Sequence, residues 1–209
     1  MNKKTDTQTI KKNKEQVLLK LFESSEQIIF TPECVRLGNE KIYYTEVTAI
    51  SFYSVKESIN LLPTAQKYYF SVSSIDDGFD IDLSSIFYIN NEKKKETWFK
   101  LIEIYDNYIK PLLLNKFINE IFVENKSVTI GNISFDSRGY HKSKFFGGIN
   151  SALWSDVVYI PKIENGEIIL FKQENDKGVY FTKISMEKSN AVIIPDLICA
   201  CADIFRRNR

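Results

Sequence analysis

The chain has 209 residues, 44% hydrophobic and 13% aromatic, which is enough for about two compact units of roughly 100 residues with a modest core in each. Its 28 Lys and Arg against 27 Asp and Glu leave a net charge of +1, so no global field draws it to nucleic acid, and any contact with anionic lipid has to be local. Three cysteines and a single histidine exclude a disulfide framework and a zinc site of ordinary composition; this cysteine usage predicts a reducing, cytoplasmic setting.

The opening residues are polar and lysine-rich and read as a tail. Val17, Leu18, Leu21 and Phe22 recur at helical spacing and predict a short amphipathic helix over about 14–23. The apolar run 17–22 is too short for a signal peptide and is interrupted by Lys20, and nowhere do about 20 apolar residues follow one another as a membrane span requires. Strand-like runs follow at 27–31, 34–37, 41–44, 47–55, 67–75 and 79–89. Asp77-Gly78, between alternating apolar runs, predicts a type I′ hairpin.

From Asn91 the period changes. Trp98, Ile102, Tyr105 and Ile109 form one helical stripe and Leu101, Ile104 and Tyr108 a second, an apolar arc wide enough to be buried on two sides. Pro111 predicts a kink or restart, with the helix continuing to about Phe122. Strands are then expected at 127–130, 133–136, 153–163, 167–172 and 179–184, with a turn at Asn165-Gly166. Pro195 opens a closing helix striped by Leu197, Ile198, Cys201, Ile204 and Phe205.

One phrase occurs twice. Tyr44-Thr45-Glu46-Val47 and Trp154-Ser155-Asp156-Val157 both read aromatic, hydroxyl, acid, valine, and Ile50 and Ile160 follow at the same offset, about 110 residues apart. That distance is a domain length. The expected fold class is α+β: two tandem pleckstrin-homology-like domains, each an antiparallel bent sheet capped by a C-terminal helix. The expected division is a basic tail and short helix over 1–24, a first domain over 25–123 with the long helix, and a second over 124–209.

Pro111-Leu112-Leu113, Val128-Thr129-Ile130-Gly131, Trp154-Ser155-Asp156-Val157, the turn at Gly166 and Ile194-Pro195-Asp196 follow in an order that resembles an uncharacterised bacterial family of tandem pleckstrin-homology-like proteins, a domain of unknown function. The resemblance covers about 89–209. It differs in a longer 140–152 segment, an extended hairpin at 174–177 and Asp196 where an asparagine is usual. It implies the fold and supplies no site residues.

The repeated phrase reads as structure, its aromatic and valine packing and its acid pairing locally. The stretch Tyr140 to Gly148 is the most suggestive of function, since its lysines suit phosphate, its aromatics can be buried and its glycines loosen the chain. His141, Lys142, Lys144, Phe145 and Phe146 are the candidate binding residues, on a loop spanning 140–152. Asp80 and Asp82 alternate with Phe79, Ile81 and Leu83 and read as the wet face of a strand rather than a calcium loop. Cys199 and Cys201 fall on opposite sides of a helix and cannot share a metal. His141 is the only imidazole and has no acid beside it in sequence, so no catalytic residue, metal or cofactor is assigned. No phosphate-binding glycine loop is present. The resulting expectation is a cytoplasmic, non-enzymatic binding or scaffolding module with a protein or peptide partner. Two alternatives stand beside it: a peripheral protein bound to anionic lipid through the 140–152 loop, and a bacterial toxin-neutralising protein.

Overall fold

Alternating apolar side chains build the sheets. The computed structural model describes residues 16–23, 26–59, 62–83, 91–143, 148–157, 161–175 and 177–208. Leu19–Glu23 (β1), Glu26–Phe30 (β2), Cys34–Leu37 (β3) and Glu40–Tyr43 (β4) form a four-stranded meander. Ala49–Ile59 (β5), Leu62–Ser73 (β6) and Gly78–Asp82 (β7) form a three-stranded one. The same order recurs downstream. Val128–Ile130 (β8), Ile133–Asp136 (β9), Gly139–Ser143 (β10) and Ile149–Leu153 (β11) make four strands, and Lys162–Glu164 (β12), Glu167–Glu174 (β13) and Lys177–Ser185 (β14) make three. Every described strand pair is antiparallel, so the chain is α+β.

Each series ends in a helix. Asn91–Ile104 (α1) runs through a π turn at Tyr105–Ile109 into Lys110–Phe122 (α2), and Ile194–Arg207 (α3) closes the second series. Helix α1 covers the first three-stranded sheet through an aromatic nest in which the Phe52 ring lies 5.7 Å from Trp98 and 4.9 Å from Tyr105, both edge-on. Helix α2 touches Tyr44–Glu46 of the first series and β8 and β9 of the second, and α3 packs on α2 and on Trp154–Asp156. One buried apolar cluster therefore runs through both halves, from Leu19 to Ala202. Among the described residues no helix is long and apolar enough to cross a membrane.

Four local expectations are corrected. The helix expected over 14–23 is not formed where it is described: Leu19–Glu23 is the strand β1, which pairs Leu19 with Phe30 and Leu21 with Ile28, and Leu19 and Leu21 are buried at the period of two. Residues 1–15 lie outside the described residues. An isolated helix of that length is marginal, whereas a strand at the sheet edge gains a ladder and a core face together. The segment 140–152, expected as a loop, is largely the β10–β11 hairpin, with Gly139 paired to Leu153 and Ser143 to Ile149. The strand expected over 153–163 is broken by a 3-10 turn at Trp154–Asp156. Asp77-Gly78 does mark a hairpin, but the loop is the four residues 74–77; Gly78 already pairs with Ser73 and stays outside the left-handed region. Ser74 closes that loop, donating its N–H to the Asp77 carbonyl at 2.8 Å while its Oγ accepts the Asp77 N–H at 3.0 Å.

Other expectations hold. Asn165 and Gly166 have φ of 51° and 74° between the paired Glu164 and Glu167, the two positive angles a type I′ turn needs. Pro111 sits in the first turn of α2, and the widened turn before it closes with Lys110 N–H donating to the Tyr105 carbonyl. An i to i+5 turn at this point lets the helix continue past a residue that lacks an N–H. Phe79, Ile81 and Leu83 are buried and Asp80 is exposed. Cys199 is exposed and Cys201 buried, and burial pushes the Cys201 thiol up to about 12.

Candidate functional site

The repeated phrase is a latch. In the first copy Tyr44 donates its N–H to the Glu33 carbonyl and its hydroxyl to the Thr31 carbonyl, both at 2.9 Å. In the second, Trp154 donates its N–H to the Arg138 carbonyl at 3.0 Å and its indole Nε1–H to the Asp136 carbonyl at 2.9 Å. Each aromatic thus reaches back to the turn between the second and third strands of its series, β2–β3 or β9–β10, and Val47 and Val157, three residues on, are buried with it. The spacing of three is that of a 3-10 turn, not the alternation of a strand. These residues are committed to structure.

The outer face of β8–β11 is different. Tyr140 points inward, its ring 5.0 Å from Phe181 and edge-on, with its hydroxyl donating to the Phe171 carbonyl. Lys142, two residues on, lies on the same inner side, half-buried, and donates from Nζ to Thr182 Oγ1 at 2.7 Å. His141 faces outward between two cross-strand neighbours, Ser134 on β9 and Ser151 on β11. Its Nδ1 is 3.0 Å from Ser151 Oγ, and its Nε2 is 3.0 Å from Asp136 Oδ2.

Asp136 organises this face. Its carboxylate accepts the main-chain N–H of Arg138 at 2.8 Å and of Gly139 at 3.2 Å, and the Arg138 guanidinium at 3.2 Å, so it closes the β9–β10 turn as well as holding the imidazole. Burial pushes the Asp136 carboxyl up; the bonds from His141 and from Arg138 outweigh this and hold it below the usual carboxylate range. A shallow depression of about 430 Å³ lies over Ser134, Asp136, Arg138, His141, Ile149 and Ser151. Beside it β11, an edge strand of its sheet, exposes Ile149 at 68% and Leu153 at 45% on the same side as Ser151.

Of the residues expected at this site, His141 and Lys142 stand on β10 and point to opposite faces, so they do not act together. Lys144, Phe145 and Phe146 lie outside the described residues. Asp136, Arg138 and Ser151 were missed. The signal for them was alternation: Tyr140-His141-Lys142 reads as a strand once Asp136 is allowed to end the one before it, and the register then places a serine on each side of the histidine. Among the described residues no group of three His, Cys, Asp or Glu side chains is placed to hold a metal ion. Neither a family model, nor a curated protein, nor a solved structure matches this chain.

Proposed function

We propose that the chain is a non-catalytic binding module of two pleckstrin-homology-like halves, related to the tandem family it resembles, which takes an extended segment of a partner protein along β11. The recurring order of four strands, 3-10 turn, three strands and helix supports the pleckstrin-homology-like reading, and the identical use of Tyr44 and Trp154 supports common descent of the halves. The observation that carries the binding reading is β11. It is an edge strand with two exposed aliphatic side chains, Ile149 and Leu153, flanking a polar centre at Ser151 and His141. Strand addition uses main-chain hydrogen bonds for affinity and alternate side chains for selectivity, and this edge offers both.

The test is a double substitution, Ile149→Lys with Leu153→Lys, scored by recovery of cross-linked partner from the native host. Recovery is expected to fall to background while the far-ultraviolet circular dichroism is unchanged. Full recovery would sink the edge-strand reading, and binding to anionic vesicles that falls with salt would favour a lipid partner instead.

A second reading has one observation behind it: a carboxylate and a hydroxyl each 3.0 Å from a nitrogen of the same imidazole, the elements of a hydrolase. Two features favour binding over catalysis. Asp136 is already engaged by its own turn, and the imidazole meets the serine through Nδ1 and the acid through Nε2, the reverse of the usual order. A fluorophosphonate probe decides between them. No labelling of Ser151 is expected, and labelling abolished by His141→Ala would make this an active site.

A further inference from the structure

A cleft of about 670 Å³ lies where the two halves meet, lined by none of the residues around His141. One wall is β5 at Tyr53, Ser54 and Val55, in the three-stranded β5–β7 sheet. Register places Tyr53, Tyr69 and Asp82 in one row across that sheet, with Ser51, Ser71 and Asp80 in the next. The Tyr53 and Tyr69 rings stack at 4.8 Å with their planes 23° apart, so Tyr69 backs Tyr53 and leaves the opposite face of Tyr53 for a ligand. The other wall is the Asn165-Gly166 turn with Glu167, Ser185 and Glu187.

The position of this second wall is fixed. Met186 N–H donates to the Gly166 carbonyl at 2.9 Å and Lys188 N–H to the Ser185 carbonyl at 3.1 Å. Asn190 then grips the start of β5 and the residue before it with both ends of its side-chain amide, accepting Ile50 N–H at 2.9 Å and donating to the Thr48 carbonyl at 2.9 Å. Glu187 is thereby held opposite Tyr53, whose phenol is pushed up by burial and then by Glu187, Tyr69, Asp82 and Asp80. Lys183 is drawn to Glu167 at 2.7 Å, and the described residues that line the cleft include two carboxylates, Glu167 and Glu187, and no Lys or Arg.

We propose that this cleft binds the guanidinium of an arginine on a partner peptide, stacked on the face of Tyr53 turned away from Tyr69 and paired to Glu187. A planar, weakly hydrated cation suits an aromatic face rimmed by carboxylates better than a compact ammonium does. Two walls set in advance lose little freedom on binding. The site is separate from the β11 edge, so the two stand or fall independently.

The experiment is calorimetric titration of the full chain with acetyl-Gly-Arg-Gly-amide and with the same peptide carrying citrulline, its neutral isostere. Saturable binding of the arginine peptide that weakens with salt is expected, with the citrulline peptide at least about tenfold weaker. Tyr53→Ala and Glu187→Gln should each weaken binding about tenfold, and the exposed Glu187 position guards against a folding defect. The Ile149→Lys, Leu153→Lys double variant should bind as the parent does. No binding of the arginine peptide, equal binding of the citrulline peptide, or indifference to both cleft variants overturns the proposal.

Discussion

At the scale of single residues, the side chains that look most reactive serve the turns. Tyr44 and Trp154 each carry one polar hydrogen on a large apolar body, so they can fill the core and still satisfy a main-chain carbonyl above it. Tyr44→Phe keeps the packing and removes only the hydroxyl bond, so it should lower stability by about 1–3 kcal/mol in urea denaturation. Trp154→Phe should lower it more, because the smaller ring also leaves a void at a fully buried position. Asp136 gives a pH signature. Its folded-state pKa is depressed, so its contribution is complete above the ordinary value of 3.8, shrinks as pH falls below it, and vanishes once the folded carboxyl is also protonated. Stability measured against pH should therefore fall more steeply through the acid range in the parent than in Asp136→Asn.

At the scale of elements, pairing decides what local spacing leaves ambiguous. Residues Leu18, Leu21 and Phe22 fit a helix in one dimension; Leu19 and Leu21 facing Phe30 and Ile28 win because the strand buries both and adds a ladder. The β10–β11 hairpin depends on a close approach at Gly139, where an added Cβ would lie 2.0 Å from the Ala152 carbonyl oxygen and 2.9 Å from Leu153 Cα. Backbone cannot yield as a flexible side chain can. Gly139→Ala should separate β11 from β10, seen as loss of amide-exchange protection over 149–153 and of any partner bound along β11, while β12–β14 stay protected.

At the scale of the molecule, the two series of elements share one buried cluster and are pinned by a single left-handed residue. Asn190, at φ 64°, bonds Ile50 of β5 with its N–H and its side-chain oxygen, and Thr48 just before β5 with its side-chain nitrogen. Lys110, which pairs with Asp106 at 2.7 Å and Asp196 at 3.6 Å, adds a contact between the helices of the two series. The parent should unfold in one cooperative transition. Asn190→Ala removes both side-chain bonds and puts a β-carbon without a local partner in the left-handed region, so it should cost about 2–4 kcal/mol and divide the urea transition into two. An unchanged single transition would show that the apolar contact alone couples the halves.

Composition and local pattern by themselves determined the secondary-structure class, the duplicated phrase, the long two-sided helix with its break at Pro111, the Asn165-Gly166 turn and the wet face at Asp80. Each of these follows from periodicity or from a residue whose allowed φ is narrow, and both act within a few positions along the chain. Only the tertiary structure decided that 19–23 is a strand, that His141 and Lys142 face apart, that Asp136 and Ser151 flank the imidazole, and that Glu187 stands across from Tyr53. Those facts depend on which strands pair and in what register, and on contacts between the halves such as that of Ile50 with Asn190, about 140 residues apart in sequence.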